Sequence, residues 1–332
     1  MKKGNITAEL LKNFLVSEQA GLELHDKVLF LHLQKSLQNN SLIITPIESH
    51  SAKVFFLQIE NSFPEEKSFV LKINDSQKKR LKNELEVILS LTSVQVRVPH
   101  AVVCGFGNEV EIAIYEKICG VNLHTHSVSL NTMHKIWNLI LGIQSLLLSS
   151  KLGSIQPLVE NLSTKQGYYE KLRKHMSRVF GELTVKESSF DPVSQHLNSD
   201  AMVRSRTIIT DRNPSNWILD GSQIYTFDFD LVLGESFLID FVLFVDDYRL
   251  KSHSTREDLI ADCISFLSKK NIHISSVDYH YCAVYQNLLQ TSFMFPHIEA
   301  TLFCLKRAQD SAVFLKLTNL EVEIKEIISS LS

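Results

Sequence analysis

Apolar positions recur along this chain in two rhythms, and the rhythm changes near its first third. At the N-terminal end they fall at helical spacing, so residues 6–37 carry two helices. In the second, Leu22, Val28, Leu29, Leu31 and Leu33 are apolar, with Lys and Gln on the polar side. Three short runs rich in Ile, Val and Phe follow at 41–48, 53–60 and 68–73, separated by polar turns, and these read as strands. A helix over 77–91 comes next. Strands at 100–105 and 110–118 then flank Gly107-Asn108, a good hairpin turn. From Gly120 onward helical spacing dominates, near 130–150, 165–183, 235–250, 254–270, 276–292 and 300–330. Ser254-Thr255-Arg256-Glu257 is a capping signature for one of these helices. One short β element interrupts them: 206–210, then a hairpin of 217–219 and 223–227 about Asp220-Gly221. The pattern predicts an α+β protein with a small β-rich lobe over 1–118 and a large helical lobe over 119–332. No internal repeat or low-complexity tract is visible.

Composition narrows the class. A chain of 332 residues with 44% apolar and 21% charged residues can fill two cores. A formal charge of −3 lacks the basic excess of a nucleic-acid binder. The most apolar run, 136–148, is interrupted by Asn138 and Gln144 and is too short to span a bilayer. Glu9 and Lys12 break up any signal-peptide core. A cytoplasmic protein without nucleic-acid or membrane partners is expected, as a monomer or a dimer. The cysteines, five in number and without zinc-type spacing, read as reduced, buried thiols.

The chemistry concentrates at Asp211-Arg212-Asn213-Pro214-Ser215-Asn216 and at Asp228-Phe229-Asp230. Carboxylate, amide and carboxylate are hard oxygen donors of the kind magnesium takes, and proline helps turn the loop that carries two of them. Upstream, Lys72 on the third strand of the β block offers a cation for phosphate. Glu84 on the following helix offers that lysine a carboxylate partner, with Glu86 as the alternative. Taken singly, each is more simply a surface lysine, a solvated helix face or a polar turn. The order of the pieces argues otherwise: strand lysine, helix glutamate, Asp-x4-Asn loop, hairpin, aspartate, then helices.

In that order the motifs resemble the aminoglycoside phosphotransferase and choline kinase-like group, whose fold is similar to that of protein kinases. The resemblance covers about residues 40 to 245. It implies a two-lobed protein-kinase-like fold in which Lys72 holds ATP phosphates and Glu84 holds Lys72. It implies that Tyr115-Glu116-Lys117-Ile118-Cys119-Gly120 links the lobes and that the backbone of Glu116 and Ile118 meets the nucleotide base. Ser49 and Ser51 stand in the phosphate-covering turn, which has no glycine. Asp211 would orient the acceptor hydroxyl or take its proton, Asn216 and Asp228 would hold Mg2+, and Asp240 would brace the loop. Two departures stand out: Ile209-Thr210 replaces the group's usual His-Gly, and Ser215 replaces a usual glycine. The implied activity is magnesium-dependent transfer of the γ-phosphate of ATP, or of GTP, to a hydroxyl of a small molecule. The acceptor would be aminoglycoside-, choline- or sugar-like. The short interval from Asp228 to Asp240 leaves no long activation segment, which favours a small acceptor over a protein. The helical segment from Gly120 to Ser205 would contribute to its binding. Glu235, Asp246 and Asp247 could supply acidity for a cationic acceptor, although an acidic pair on a helix is usually solvated. The alternative is a catalytically silent kinase-like protein that binds a nucleotide or another ligand.

Other motif readings fit less well. Phe227-Asp228-Phe229-Asp230-Leu231-Val232-Leu233 is similar to the nucleophile motif of haloacid dehalogenase-like phosphatases. That motif opens an alternating α/β domain, and the residues after it read as helices. An Asp-x-Asp metal site of a sugar-nucleotide transferase fails for the same reason. Gly105-Phe106-Gly107 belongs to a hairpin and not to a dinucleotide fingerprint. No Walker Gly-Lys-Ser/Thr occurs. His124 and His126 lack a third metal ligand and read as a solvated loop.

Overall fold

A computed structural model of the chain describes residues 22–39, 41–47, 53–59, 68–75, 80–92, 96–106, 110–149, 158–159, 165–181, 183–229 and 232–331. The first expected helix, and Ser49 and Ser51 with it, lie outside the described residues. Two compact units result. The first runs to Gly120 and includes Asp220–Asp228; the second holds the other described residues.

The first unit is built on a six-stranded sheet. In chain order its strands are β1 (Leu22–Leu24), β2 (Leu42–Ile47), β3 (Lys53–Ile59), β4 (Ser68–Asp75), β5 (Ala101–Phe106) and β6 (Val110–Glu116). They lie in the order β1-β5-β6-β4-β3-β2, with every neighbouring pair antiparallel. Helix α1 (Lys27–Gln38) starts at Asp26, whose carboxylate accepts the Leu29 N–H at 2.9 Å. It buries Leu29, Phe30 and Leu33 against Leu57, Phe69, Leu71, Val103 and Ile114 of the sheet. Leu22, expected in this helix, lies instead in β1 and pairs with Gly105. Its apolar side chain matches either period, and the Asp26 cap starts the helix only after it. Helix α2 (Arg80–Thr92) buries Leu81, Leu85, Ile88 and Leu91, a helical stripe on which Glu84 also falls. Its first turn is tied to β6 by Glu111, which accepts the Leu81 N–H at 3.0 Å. Strand β11 (Gln223–Thr226) belongs to this unit too, with the Thr226 N–H on the Arg97 carbonyl at 3.0 Å.

The second unit is mostly helical. Its helices are α3 (Leu130–Ser149), α4 (Lys165–Phe180), α5 (Glu187–Leu197), α6 (Asp200–Arg204), α7 (Leu238–Val245), α8 (Arg256–Lys269), α9 (Ser276–Met294), α10 (Ile298–Phe314) and α11 (Thr318–Leu331). Three differences from the sequence pattern have clear causes. The single helix expected over 300–330 is two, because Lys316 adopts a left-handed backbone with φ of 58° and ends α10. The helix expected from residue 235 begins at Leu238, after a strand β12 (Val232–Ser236). That strand pairs antiparallel with β9 (Arg206–Ile209) and parallel with β8 (Leu158–Val159). Every residue of α7 is buried, so it has no polar face to mark its start. A further short strand, β7 (Val121–Asn122), pairs with β10 (Trp217–Asp220) and was not visible in the sequence pattern. Of the five cysteines, four are buried, but Cys119 is exposed just beyond β6. Among the described residues no helix is long and apolar enough to cross a membrane.

Candidate active site

In the first unit the sheet, α2 and the segment after β11 put three charged groups together. Lys72 lies mid-strand in β4, paired with Val54 and Ala113, and is 9% exposed. Its ammonium donates to Glu84 Oε1 at 2.7 Å and to Asp228 Oδ1 at 2.9 Å. Burial works against its charge, and Asp228 and Glu84 outweigh burial, so its pKa is raised above the usual lysine value. Glu84 is buried, whereas Glu86, two residues on, is only half-buried. The helix period therefore separates the two candidates and selects Glu84 as the partner. The Tyr115 ring lies under the ammonium, 5.9 Å from it to the centroid. Burial, then the Glu84 charge, pushes the Tyr115 phenol up. The Asp228 side chain is half-exposed, and its backbone is left-handed with φ of 60°.

The strand that carries Tyr115 ends in the expected linker. The Glu116 N–H is taken by the His100 carbonyl at 2.8 Å, and the Lys117 N–H by the Ser68 carbonyl at 2.9 Å. Any contact of Glu116 with a base must use its other atoms. The Ile118 N–H bonds to no described residue.

The second unit holds the loop that follows β9. Asp211 is half-buried and, like Asp228, left-handed, with φ of 54°. A non-glycine residue there stores about 1–3 kcal/mol, a cost that recurs at functional sites. The Asn216 amide nitrogen donates to the Asp211 carbonyl at 2.6 Å and approaches its carboxylate at 3.4 Å. The amide oxygen, on the other branch, is the atom of a metal-ligand type. Asn213 donates to Asp211 Oδ1 at 3.1 Å and accepts from the Ser215 N–H at 3.0 Å, closing the turn. The Ser215 carbonyl in turn accepts from Asn122 at 2.7 Å.

Asp240 braces this loop from α7. It is fully buried and accepts the Thr210 N–H at 3.1 Å, the Thr210 hydroxyl at 3.0 Å, the Arg212 N–H at 3.3 Å and the Gln144 amide at 2.8 Å. Burial raises its pKa, and the Arg212 charge and these hydrogen bonds pull the other way. Thr210, in the place of the group's usual glycine, thus spends its hydroxyl on the brace. Arg212 is also buried, with its guanidinium 4.2 Å from the Phe229 ring centroid and its Nε on the Thr210 carbonyl at 2.8 Å.

The acidic residues that sequence offered to a cationic acceptor are not free. Asp246 meets Arg256 through two hydrogen bonds of 2.8 and 2.7 Å. Asp247 meets Arg249 through two of 2.8 and 2.6 Å. Glu235 accepts from Lys171 at 2.8 Å and from the Tyr285 hydroxyl at 2.9 Å. Arg249 also reaches Asn213 at 3.3 Å, a tie to the loop that spacing could not show. Among the described residues no group of three or more His, Cys, Asp or Glu gathers as a metal site.

No family model matches the sequence, and no curated protein does. Solved structures do match. A choline kinase from Cryptosporidium parvum Iowa II is 13% identical, with 97% of this chain and 99% of that chain covered and a TM-score of 0.57. Choline kinase LicA from Streptococcus pneumoniae is 14% identical, with 85% and 98% covered and a TM-score of 0.55. An aminoglycoside-3'-phosphotransferase of type VIII is 12% identical, with 78% and 98% covered and a TM-score of 0.51. At such identities the likeness is one of fold. The chain has the α+β fold of choline kinases and aminoglycoside phosphotransferases, with a small sheet-bearing lobe and a large helical one.

Proposed function

We propose that the protein is a small-molecule kinase, transferring the γ-phosphate of ATP, or of GTP, to a hydroxyl with the help of magnesium. The observation that carries this is the Lys72 ammonium, buried and held between Glu84 at 2.7 Å and Asp228 at 2.9 Å, in a chain with a kinase fold. A lysine so held is kept charged and extended, ready for the phosphates of a nucleotide. In this reading the N-terminal lobe binds the nucleotide, with Glu116 and Ile118 at its base and Ser49 and Ser51 at its phosphates, and the helical lobe binds the acceptor.

The donor chemistry fits magnesium: the Asp228 carboxylate and the Asn216 amide oxygen are both hard oxygen ligands. When bound, the ion would neutralise charge on the phosphate oxygens. Asp211, fixed in a strained conformation by Asn213 and Asn216, would accept a hydrogen bond from the acceptor hydroxyl and take its proton as the phosphoryl group leaves ATP. Asp240 and Arg212 would hold that loop in place before the substrate arrives. The named neighbours phosphorylate choline or aminoglycosides, and the acceptor here is a small hydroxyl compound of such size.

The test is a thermal-shift titration with ATP, ADP and GTP, with and without magnesium, on the wild type and on Asp228→Ala. A ligand that binds only the folded state raises the melting temperature, by RT ln(1 + [L]/Kd) in free energy. A magnesium-dependent rise that Asp228→Ala loses is expected. No shift with any nucleotide would favour a kinase-like protein that binds another ligand.

A further inference from the structure

Arg249 reaches the Asp211 loop from outside it. It stands in the turn after α7, where its guanidinium meets the Asp247 carboxylate at two points. Nε donates to Oδ1 at 2.8 Å and Nη2 to Oδ2 at 2.6 Å. The Arg249 backbone N–H adds a third bond to Oδ1 at 2.8 Å. The Asp247 side chain is only 6% exposed, so this clamp is fixed at the end of α7. From the same Nη2 a further hydrogen bond runs to Asn213 Oδ1 at 3.3 Å. Burial works against the Arg249 charge, Asp247 outweighs burial, and the Asp211 charge adds to the same side. The guanidinium therefore stays charged, and its N–H groups can only donate.

Asn213 is the joint between this clamp and Asp211. One end of its amide gathers donors: Oδ1 accepts the Ser215 N–H at 3.0 Å, the Ser215 hydroxyl and Arg249. The other end donates to Asp211 Oδ1 at 3.1 Å. Turning the amide over would set its NH2 against the Ser215 and Arg249 N–H donors, and its oxygen against the Asp211 carboxylate. The Ser215 N–H fixes this polarity from inside the loop. Arg249 fixes the place of the amide from outside, through a residue anchored beside α7. Asp211 depends on such ties. Its backbone is left-handed, with φ of 54°, a conformation that persists only when the surroundings impose it. Asp240 braces the backbone on either side, at Thr210 and Arg212, whereas Asn213 holds the carboxylate.

We propose that Arg249 is a positioning residue for phosphoryl transfer, acting through Asn213 to aim the Asp211 carboxylate at the acceptor hydroxyl. The proposal rests on the reading of Asp211 as the group that meets that hydroxyl. The hydrogen-bond chain from Asp247 through Arg249 and Asn213 to Asp211 is independent of that reading. A clamp that only closed its own turn would need no bond to Asn213, and its loss would lower stability alone.

The experiment is steady-state turnover of ATP with magnesium by the full chain, with water as the acceptor hydroxyl and a melting temperature for every variant. ATP and water give ADP and phosphate, and the proton of the attacking water passes to Asp211. Asn213→Ala cuts the chain of contacts in the middle and leaves the clamp whole. Asp247→Asn with Arg249→Gln replaces the clamp by neutral side chains, so that no charge is stranded. Each should lower kcat by about ten- to a hundredfold, the scale of a misplaced reacting group. KM for ATP should stay unchanged, because only the transition state feels the aim of Asp211. If Arg249 acts through Asn213, the losses do not add, and the triple variant should keep the kcat of Asn213→Ala. Additive losses, an unchanged kcat in the clamp variant, or a raised KM at unchanged kcat would each overturn the proposal. If the clamp variant melts below the assay temperature, Arg249→Lys takes its place. It keeps a cation beside Asp247 but lacks the planar fork that meets two partners at once, and the same loss of kcat is expected. A wild type that turns over no ATP would remove the proposed phosphotransfer, and the role of Arg249 with it. Wild-type turnover that the clamp variants leave unchanged would remove the role of Arg249 alone.

Discussion

Lys72 shows how one residue's environment decides both its charge and its use. Side-chain exposures of 11% for Lys72 and 6% for Glu84 make this a buried ion pair, where removing one partner strands the other. Lys72→Met should therefore cost about 3–5 kcal/mol of stability, mostly from the Glu84 carboxylate left behind. The pH dependence has a definite sign. The folded pKa of Lys72 is raised, so its contribution is complete below the unfolded value, roughly 10.4, and is lost as pH rises through the folded value. Urea midpoints of the wild type should thus stay level through neutral pH and fall above about pH 10. Lys72→Met should start lower and fall less steeply. Parallel curves for the two proteins across the alkaline range would show that the pair adds nothing to stability. The strand lysine and the helix glutamate were legible through the motif order that resembles the kinase group; in the structure β4 places Lys72 on the face opposite Phe69 and Leu71, and α2 turns Glu84 onto its apolar stripe. Glu86 is two residues away on the same helix, and only that stripe, seen with its burial, separates the two.

At the scale of elements, the loop before α7 depends on its neighbour more than on its own sequence. Asp240 accepts from the backbone of Thr210 and Arg212 and from Gln144 of α3, all of them buried. An unsatisfied buried donor costs about 1–3 kcal/mol, so Asp240→Ala should lose about 3–5 kcal/mol in all, water entry offsetting part of the sum. It should also speed hydrogen exchange at residues 210–216 while leaving any nucleotide-dependent stabilisation in place. Unchanged exchange in that segment would mean that the brace is incidental. The elements that were hard to read share one physical feature, the lack of a two-sided pattern. Helix α7 is apolar at nearly every position, and α5 carries Pro192 among serines. The break at Lys316 has neither glycine nor proline to announce it. Conversely, α9 read clearly as a helix. The arginine clamps on Asp246 and Asp247 were hidden in the sequence, since Arg256 is drawn from a different helix and Arg249 from the turn after α7.

At the scale of the whole molecule, the chain returns to its first unit after building much of the second. Residues Asp220–Asp228 belong with the sheet that ends near Gly120, and they bring two things to it. Strand β11 ties the Thr226 N–H to the Arg97 carbonyl at 3.0 Å, and Asp228 supplies the second carboxylate on Lys72 at 2.9 Å. A fragment ending at Gly120 keeps the six strands and the Lys72–Glu84 pair but loses both of these. It should unfold at a lower urea concentration than the same fragment with Asp220–Asp228 appended through a flexible glycine-serine linker, which restores the contacts at a modest entropic cost. On the proposed role of Asp228 as a magnesium ligand, any nucleotide-dependent stabilisation of the short fragment should be indifferent to magnesium. In the appended fragment the magnesium response should return. Equal unfolding midpoints for the two fragments would mean that the returning segment is carried by the second unit and only lies against the first. A magnesium response in the short fragment would place the metal on groups other than Asp228, and Lys72 would then hold phosphate without a carboxylate ligand beside it.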